Sequence, residues 1–282
     1  MELTLLGTGT PHPNPLRAGP SQHIQLGSSS VLVDCGSGVA RRMVEVGKHP
    51  VELDYIFVTH MHSDHTIDLA HLLISGWIAN RSKPYTIVGP PQTQEFVNRL
   101  VHAFEFDIKL RRLHDRVGDE VMNVNVIEVG EGDTLDGSDW QATVIEVDHG
   151  YVKPALGFIF EHDSAKLVIS GDTAPCDAII KAASNANLLV HELTQGRPAN
   201  EANFMVDPKG NELQSNPEIR NRIADSHTTP DQLGPLAQES GVPKLIVSHL
   251  PSNFDEPWAT QVITSSYKGE FKVGHDLLQL TV

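Results

Sequence analysis

The run Thr59-His60-Met61-His62-Ser63-Asp64-His65 constrains this chain more than any other stretch. Residues 55–58 before it read as a short strand, and a helical pattern begins directly after it. His60 and His62 are two apart, so an extended backbone sends both rings to one side. Asp64 and His65 then turn away and serve a second position from the N-terminal side of the helix. Imidazole and carboxylate without thiolate form a ligand set that suits zinc, with manganese or iron also compatible.

One loop cannot fill two metal sites, so further ligands must come from elsewhere in the chain. Three candidates each end a predicted strand: His149 after 144–148, Asp172 after 167–171 and His249 after 245–248. A lone strand-end histidine is ordinarily structural. Three strand-end ligand residues beside a four-residue cluster form a set.

Short β-branched runs at 3–6, 31–34, 55–58, 85–88, 124–129 and 141–147 form one series. A second runs through 155–160, 166–170, 187–191, 244–248 and 277–281, and most of these runs end at Gly, Asp, Asn or Pro. Helical patterns lie between them at 65–79, 93–106 and 230–240. The expected architecture is α/β, with residues 1–282 as one domain of two β-rich halves packed face to face and helices outside. The polar stretch 196–224, rich in Pro, Gly and Asn, is expected to be a long loop serving as a lid. The basic segment 109–116 is expected to be a solvated helix end.

The start shows no basic-then-apolar leader and no apolar run spans a bilayer. Two cysteines, Cys35 and Cys176, make no disulfide framework. A cytoplasmic protein without membrane attachment is the expectation. The formal charge of −15 repels polyanions over a Debye length of about 8–10 Å, which makes nucleic acid an unlikely partner.

The run His60-x-His62-x-Asp64-His65, followed by His149, Asp172 and His249, resembles the metallo-β-lactamase superfamily across nearly the whole chain. The resemblance implies a four-layer αββα sandwich. It also implies His60, His62 and His149 on one zinc, Asp64, His65 and His249 on the other, and Asp172 bridging them. Asp172 stands where the main zinc β-lactamases carry cysteine, and His62 where flavodiiron proteins carry glutamate. Antibiotic hydrolysis and oxidoreduction are therefore set aside.

Leu6-Gly7-Thr8-Gly9-Thr10-Pro11, Val88-Gly89-Pro90-Pro91, His191-Glu192-Leu193-Thr194 and Ser226-His227-Thr228-Thr229-Pro230 resemble the ribonuclease Z-like group. Within it, the opening with Pro11, Pro13, Pro15 and Arg17 is most similar to members described as arylsulfatases or cyclic-nucleotide phosphodiesterases. That group implies a Glu192–His227 pair for the leaving group, with Asp64 orienting the nucleophile. Two zincs about 3.5–4 Å apart lower the pKa of a shared water toward about 7. Ribonuclease Z carries a Gly/Pro-rich arm that grips transfer RNA, and none is visible between Pro91 and Asp172.

The expected function is hydrolysis of a small-molecule sulfate or phosphate ester by a homodimeric dinuclear zinc enzyme. A transfer-RNA 3′ endonuclease and a lactone or thioester hydrolase are the alternatives. Trp77, Arg81, Phe204 and Met205 are candidate pocket residues. His191 is read as structural, and His12, His23, His49, His71, His102, His114, His162 and His275 carry no assigned role.

Overall fold

The computed structural model describes residues 1–114, 124–194 and 217–282. Its strands are β1 (Glu2–Gly7), β2 (Ser21–Leu26), β3 (Ser29–Val33), β4 (Tyr55–Phe57), β5 (Thr86–Gly89), β6 (Asn125–Glu128), β7 (Thr134–Asp136), β8 (Trp140–His149), β9 (Val152–His162), β10 (Ala165–Ile169), β11 (Leu188–Glu192), β12 (Lys244–Ser248), β13 (Glu270–Val273) and β14 (Leu278–Thr281). Its helices are α1 (Val39–Glu45), α2 (Ser63–Thr66), α3 (Leu69–Ile78), α4 (Thr93–Ala103), α5 (Glu105–His114), α6 (Asp177–Ala183), α7 (Pro217–Ser226), α8 (Pro230–Ser240) and α9 (Glu256–Ser266).

The strands form two sheets, ordered β14-β1-β2-β3-β4-β5-β6 and β13-β12-β11-β10-β9-β8-β7. In the first, β14 through β3 pair antiparallel and β3 through β6 pair parallel. The second repeats the scheme, antiparallel from β7 through β10 and parallel from β10 through β13. The twofold series read from the sequence is thus a repeat of topology.

Three apolar clusters set the layers. Phe57, Phe158, Phe160, Leu3, Leu5, Leu167 and their neighbours fill the space between the sheets, with Phe57 edge-on to both Phe158 and Phe160 at 5.1 and 5.2 Å. Met43, Leu72, Leu73 and Trp77 seat α1 and α3 on the first sheet. Ile179, Leu233, Leu236 and Ile263 seat α6, α8 and α9 on the second. The result is the expected αββα sandwich. Burial on both faces explains why the parallel strands read as continuous apolar runs.

Local chemistry fixes the element ends near the site. Thr229 and Gln232 form a reciprocal capping box at the start of α8, with Pro230 in its first turn. Gly171 sits at φ 63°, and a Cβ there would meet the Leu156 carbonyl oxygen at 2.4 Å, so only glycine lets the chain after β10 turn against β9.

Three expectations change. The pattern 65–79 is two helices, because Asp68 breaks it: its backbone N–H donates to the Cys35 carbonyl and its carboxylate accepts from Ala40 N. The pattern 93–106 is likewise divided between α4 and α5. Of the expected lid 196–224, residues 196–216 lie outside the described residues, and 217–224 belong to α7. Pro217 opening a run with Ile219, Arg220, Arg222 and Ala224 is a helix start that the surrounding polar composition hid. Of the basic segment 109–116, residues 109–114 are the end of α5, with Lys109 paired to Glu105 and Arg111 to Asp107, and residues 115–116 lie outside the described residues.

Candidate metal centre

All seven predicted ligand residues come together where strand ends meet between the sheets. The loop after β4 brings His60, His62, Asp64 and His65; His149 ends β8; Asp172 follows β10; His249 follows β12. His60, His62 and His149 form one group whose ligand atoms lie within 4.8 Å of one another, and Asp64, His65 and His249 form another. In the first, His62 Nδ1 lies 3.0 Å from His60 Nε2 and 3.4 Å from His149 Nε2. In the second, Asp64 Oδ2 lies 3.2 Å from His249 Nε2 and 3.6 Å from His65 Nε2.

Asp172 stands between them. Its Oδ2 is 3.3 Å from His65 Nε2, 3.4 Å from His249 Nε2 and 4.0 Å from both His60 and His149 Nε2. His249 holds a left-handed backbone at φ 56°, a conformation rare outside glycine that marks functional positions.

The outward nitrogens of these rings are engaged. His65 Nδ1 lies 2.7 Å from Asp34 Oδ2, His60 Nδ1 lies 3.0 Å from Thr59 Oγ1, and His149 Nδ1 donates to the Ser226 carbonyl at 2.9 Å. Thr59 in turn donates its N–H and hydroxyl to Asp34. This pattern places the ring protons on Nδ1 and turns the Nε2 lone pairs of His60, His65 and His149 inward, as metal-binding histidines are held. His65 Nε2 is buried and faces Asp172 Oδ2 at 3.3 Å.

Burial holds His60, His62 and His149 below the ordinary histidine pKa, so they are neutral donors at pH 7. Burial works against charge at Asp172 as well, but His249 and His65 overcome it and hold the carboxylate well below its usual range. At His65 burial is outweighed by Asp172 and Asp34, which raise its pKa. A field that retains a proton on this ring offers the same attraction to a metal cation. Donor types and inward-facing Nε2 atoms fit two divalent metals, and Asp172, within 4.0 Å of histidines of both groups, would serve both.

Glu192 and His227 lie beside this cluster. Glu192 ends β11, and its Oε1 accepts from Thr228 N at 2.8 Å and lies 3.2 Å from His227 Nδ1. The His227 ring stacks on His249 at 5.8 Å and meets His149 edge-on at 4.9 Å. Burial would lower the His227 pKa, but Glu192 raises it to about 9, leaving the ring protonated at neutral pH. His191 is fully buried with Nδ1 toward the Glu192 carbonyl, a structural placement.

A pocket of about 180 Å³ opens onto the cluster, lined by His62, Asp64, Asp172, His227 and His249 together with Thr10, Pro11, His12, Thr194, Ile223 and Pro251. His12, left without a role above, is therefore at the site. Trp77 and Arg81 are not: Trp77 is fully buried in the α3 core, and Arg81 lies 3.7 Å over the Tyr85 ring, bonded to the Val51 and Pro84 carbonyls. Phe204 and Met205 lie outside the described residues. Sequence reasoning missed Asp34 and Thr59. Asp34 ends a β-branched run just as Asp172 does, and that signal was available.

A family model described as a beta-lactamase superfamily domain matches residues 29–250. A ribonuclease Z from Mycobacterium bovis (strain BCG / Pasteur 1173P2) is 34% identical over 290 residues, covering 100% of this chain and 98% of that protein. The chain belongs to the metallo-β-lactamase superfamily, in its ribonuclease Z-like group. The metallo-beta-lactamase fold protein YhfI from Bacillus subtilis superposes with TM-score 0.75 at 18% identity, covering 99% of this chain and 98% of that one. Human tRNase Z, short form, gives 0.69 at 20%, covering 100% and 99%. These two likenesses concern the fold. Membership makes the chain a metal-dependent hydrolase with a dinuclear site.

The full-length match to ribonuclease Z overturns the expectation of a small-molecule sulfate or phosphate ester and of nucleic acid as an unlikely partner. The physical error lay in the charge argument. A net charge of −15 is an average over the whole surface, and screening confines each charge to its neighbourhood. It sets no sign for a cleft, and it omits the positive charge of the metals. Grip and cleavage are separate functions, so a sequence in which no Gly/Pro-rich arm is recognised between Pro91 and Asp172 does not exclude RNA. Among the described residues no helix is long and apolar enough to cross a membrane.

Proposed function

We propose that this chain is a dinuclear zinc endonuclease of the ribonuclease Z type, cutting a phosphodiester bond at the 3′ side of a transfer-RNA precursor. The observation that carries the reading is 34% identity with a ribonuclease Z over the whole chain. The site supports it: His60, His62 and His149 would hold one metal, Asp64, His65 and His249 the other, and Asp172 both. When bound, the metals supply Lewis acidity toward the phosphate and a water of lowered pKa. Asp64 orients the attacking group. His227, kept protonated by Glu192, faces the same pocket and hands a proton to the departing ribose oxygen. The buried Glu192 gains rigidity from Thr228 N, which fixes the direction in which His227 points. A cytoplasmic homodimer belongs to the same reading.

The test is incubation of the zinc-loaded protein with a precursor transfer RNA carrying a 3′ extension, at physiological salt. A single cut at the 3′ end, abolished by a chelator, is expected. An intact precursor under conditions where the protein holds two metals per chain refutes the reading.

A further inference from the structure

A cavity of about 20 Å³ lies between the two sheets and shares Asp172 and His249 with the metal pocket. The first sheet contributes Gln22 of β2 to its wall. The second contributes His191 and Glu192 at the end of β11 and Ser248 at the end of β12. Gln22 Oε1, His191 Nε2, Glu192 Oε2 and Ser248 Oγ are all shut off from solvent, and none finds a hydrogen-bond partner among the described residues. Buried polar atoms are as a rule paired, so four such atoms around one cavity need a common partner.

The opposite ends of these groups are already fixed. Glu192 Oε1 accepts from Thr228 N at 2.8 Å and lies 3.2 Å from His227 Nδ1, which leaves Oε2 for the cavity. Glu192 and Ser248 face each other in the register of β11 and β12. His191 Nδ1 lies 2.6 Å from the Glu192 carbonyl oxygen, so the ring proton is there. Burial lowers the pKa of this ring and keeps it neutral, which makes Nε2 an acceptor. The cavity therefore faces three acceptors and one hydroxyl. A single water brings two donor hydrogens and the Ser248 hydroxyl a third, one for each acceptor. The volume agrees: a site needs about 10–15 Å³ to hold a water, and such waters make about three hydrogen bonds.

We infer that this cavity binds one water, which ties Glu192 Oε2 to Gln22, His191 and Ser248 and so fixes the plane in which Glu192 presents Oε1 to His227. A glutamate carboxylate turns easily about its last bond. Held at both oxygens it cannot, and the His227 ring keeps its aim at the metal pocket. Gln22 and Ser248 line the cavity and not the metal pocket, so they are positioning residues that act through the water and Glu192. The water site needs only the four side chains; its effect on His227 rests on the ribonuclease reading above.

The experiment pairs crystal structures of the metal-loaded wild type and Gln22→Met with kinetics of both and of Ser248→Ala. Methionine matches glutamine closely in length and lacks the acceptor. The wild type is expected to show one water at hydrogen-bond distance from Glu192 Oε2 and from at least two of the other three atoms. Gln22→Met should lose that water and keep two metals. Its kcat on a precursor transfer RNA should fall about tenfold, while a nitrophenyl phosphodiester, which needs no proton donor, is cut at nearly the wild-type rate. Ser248→Ala should show the same split. A wild-type crystal with Glu192 Oε2 bonded directly to a protein group overturns the inference. So do wild-type kcat on the precursor in Gln22→Met, and equal losses on both substrates. A wild type that holds the water but leaves the precursor uncut supports the water site and removes the ribonuclease reading alone.

Discussion

Asp34 Oδ2 lies 2.7 Å from His65 Nδ1, and the same carboxylate takes the N–H and hydroxyl of Thr59, whose oxygen meets His60 Nδ1. One side chain thus orients an imidazole of each metal group. Asp34 has φ 58°, a left-handed backbone that asparagine also tolerates. Asp34→Asn therefore keeps the loop and removes the charge. Metal affinity is expected to fall about 10–100-fold, the usual effect of losing such a support. Competition with a chromophoric chelator measures it, and wild-type affinity at both sites would reduce Asp34 to a loop-forming role.

The seven-residue cluster was legible because its signals are local: fixed offsets in one loop and ligand types at strand ends. Asp34 carried the same strand-end signal and lacked only a sequence neighbour to draw attention to it. His12 was illegible for a different reason. It reaches the site because the chain after β1 lies against the loop after β12, with Leu250 N donating to the Thr8 carbonyl at 2.7 Å, a pairing that no periodicity encodes. Trp77 was misplaced by its helix: the rest of the α3 face that carries it is core, and the ring follows that face. The substrate was misjudged from total charge, a quantity blind to the sign of any one cleft.

Metal removal has a stability consequence. An ion that binds the folded chain alone adds about 4 kcal/mol when its free concentration is 1,000 times Kd. Elemental analysis of zinc-replete protein should give two metals per chain, and chelation should lower Tm. One metal per chain, or a Tm indifferent to chelator, contradicts the two-group geometry.

His23 supplies a pH dependence away from the metals. It is buried on β2 with Nε2 2.9 Å from Ser30 Oγ, and burial, aided by Lys48, lowers its pKa to about 4. The unfolded chain takes up that proton near pH 6.5 and the folded chain only near 4. Stability from this group is fully present above about pH 6.5 and declines as pH falls toward 4, by roughly 3 kcal/mol in all. His23→Gln should flatten the loss between pH 7 and pH 5 relative to wild type in denaturant titrations. Parallel curves for the two proteins would show that His23 contributes none of the slope.

The Glu192–His227 pair makes a separable claim about chemistry. His227 points into the metal pocket with Nδ1 toward Glu192, so its other nitrogen is the one free to serve a departing oxygen. A ribose oxygen leaves poorly without a proton, whereas a nitrophenolate leaves unaided. His227→Ala should therefore keep both metals, lose about 10²–10⁴-fold in kcat on precursor RNA, and lose little on a nitrophenyl phosphodiester. Glu192→Gln should shift the same balance in the same direction but less far, because it leaves the imidazole in place and withdraws only the charge that keeps it protonated. Equal losses on both substrates with metals retained would make His227 a group that positions the phosphate. Loss of a metal would place it among the ligands, where its proximity to His149 and Asp172 also allows it to fit.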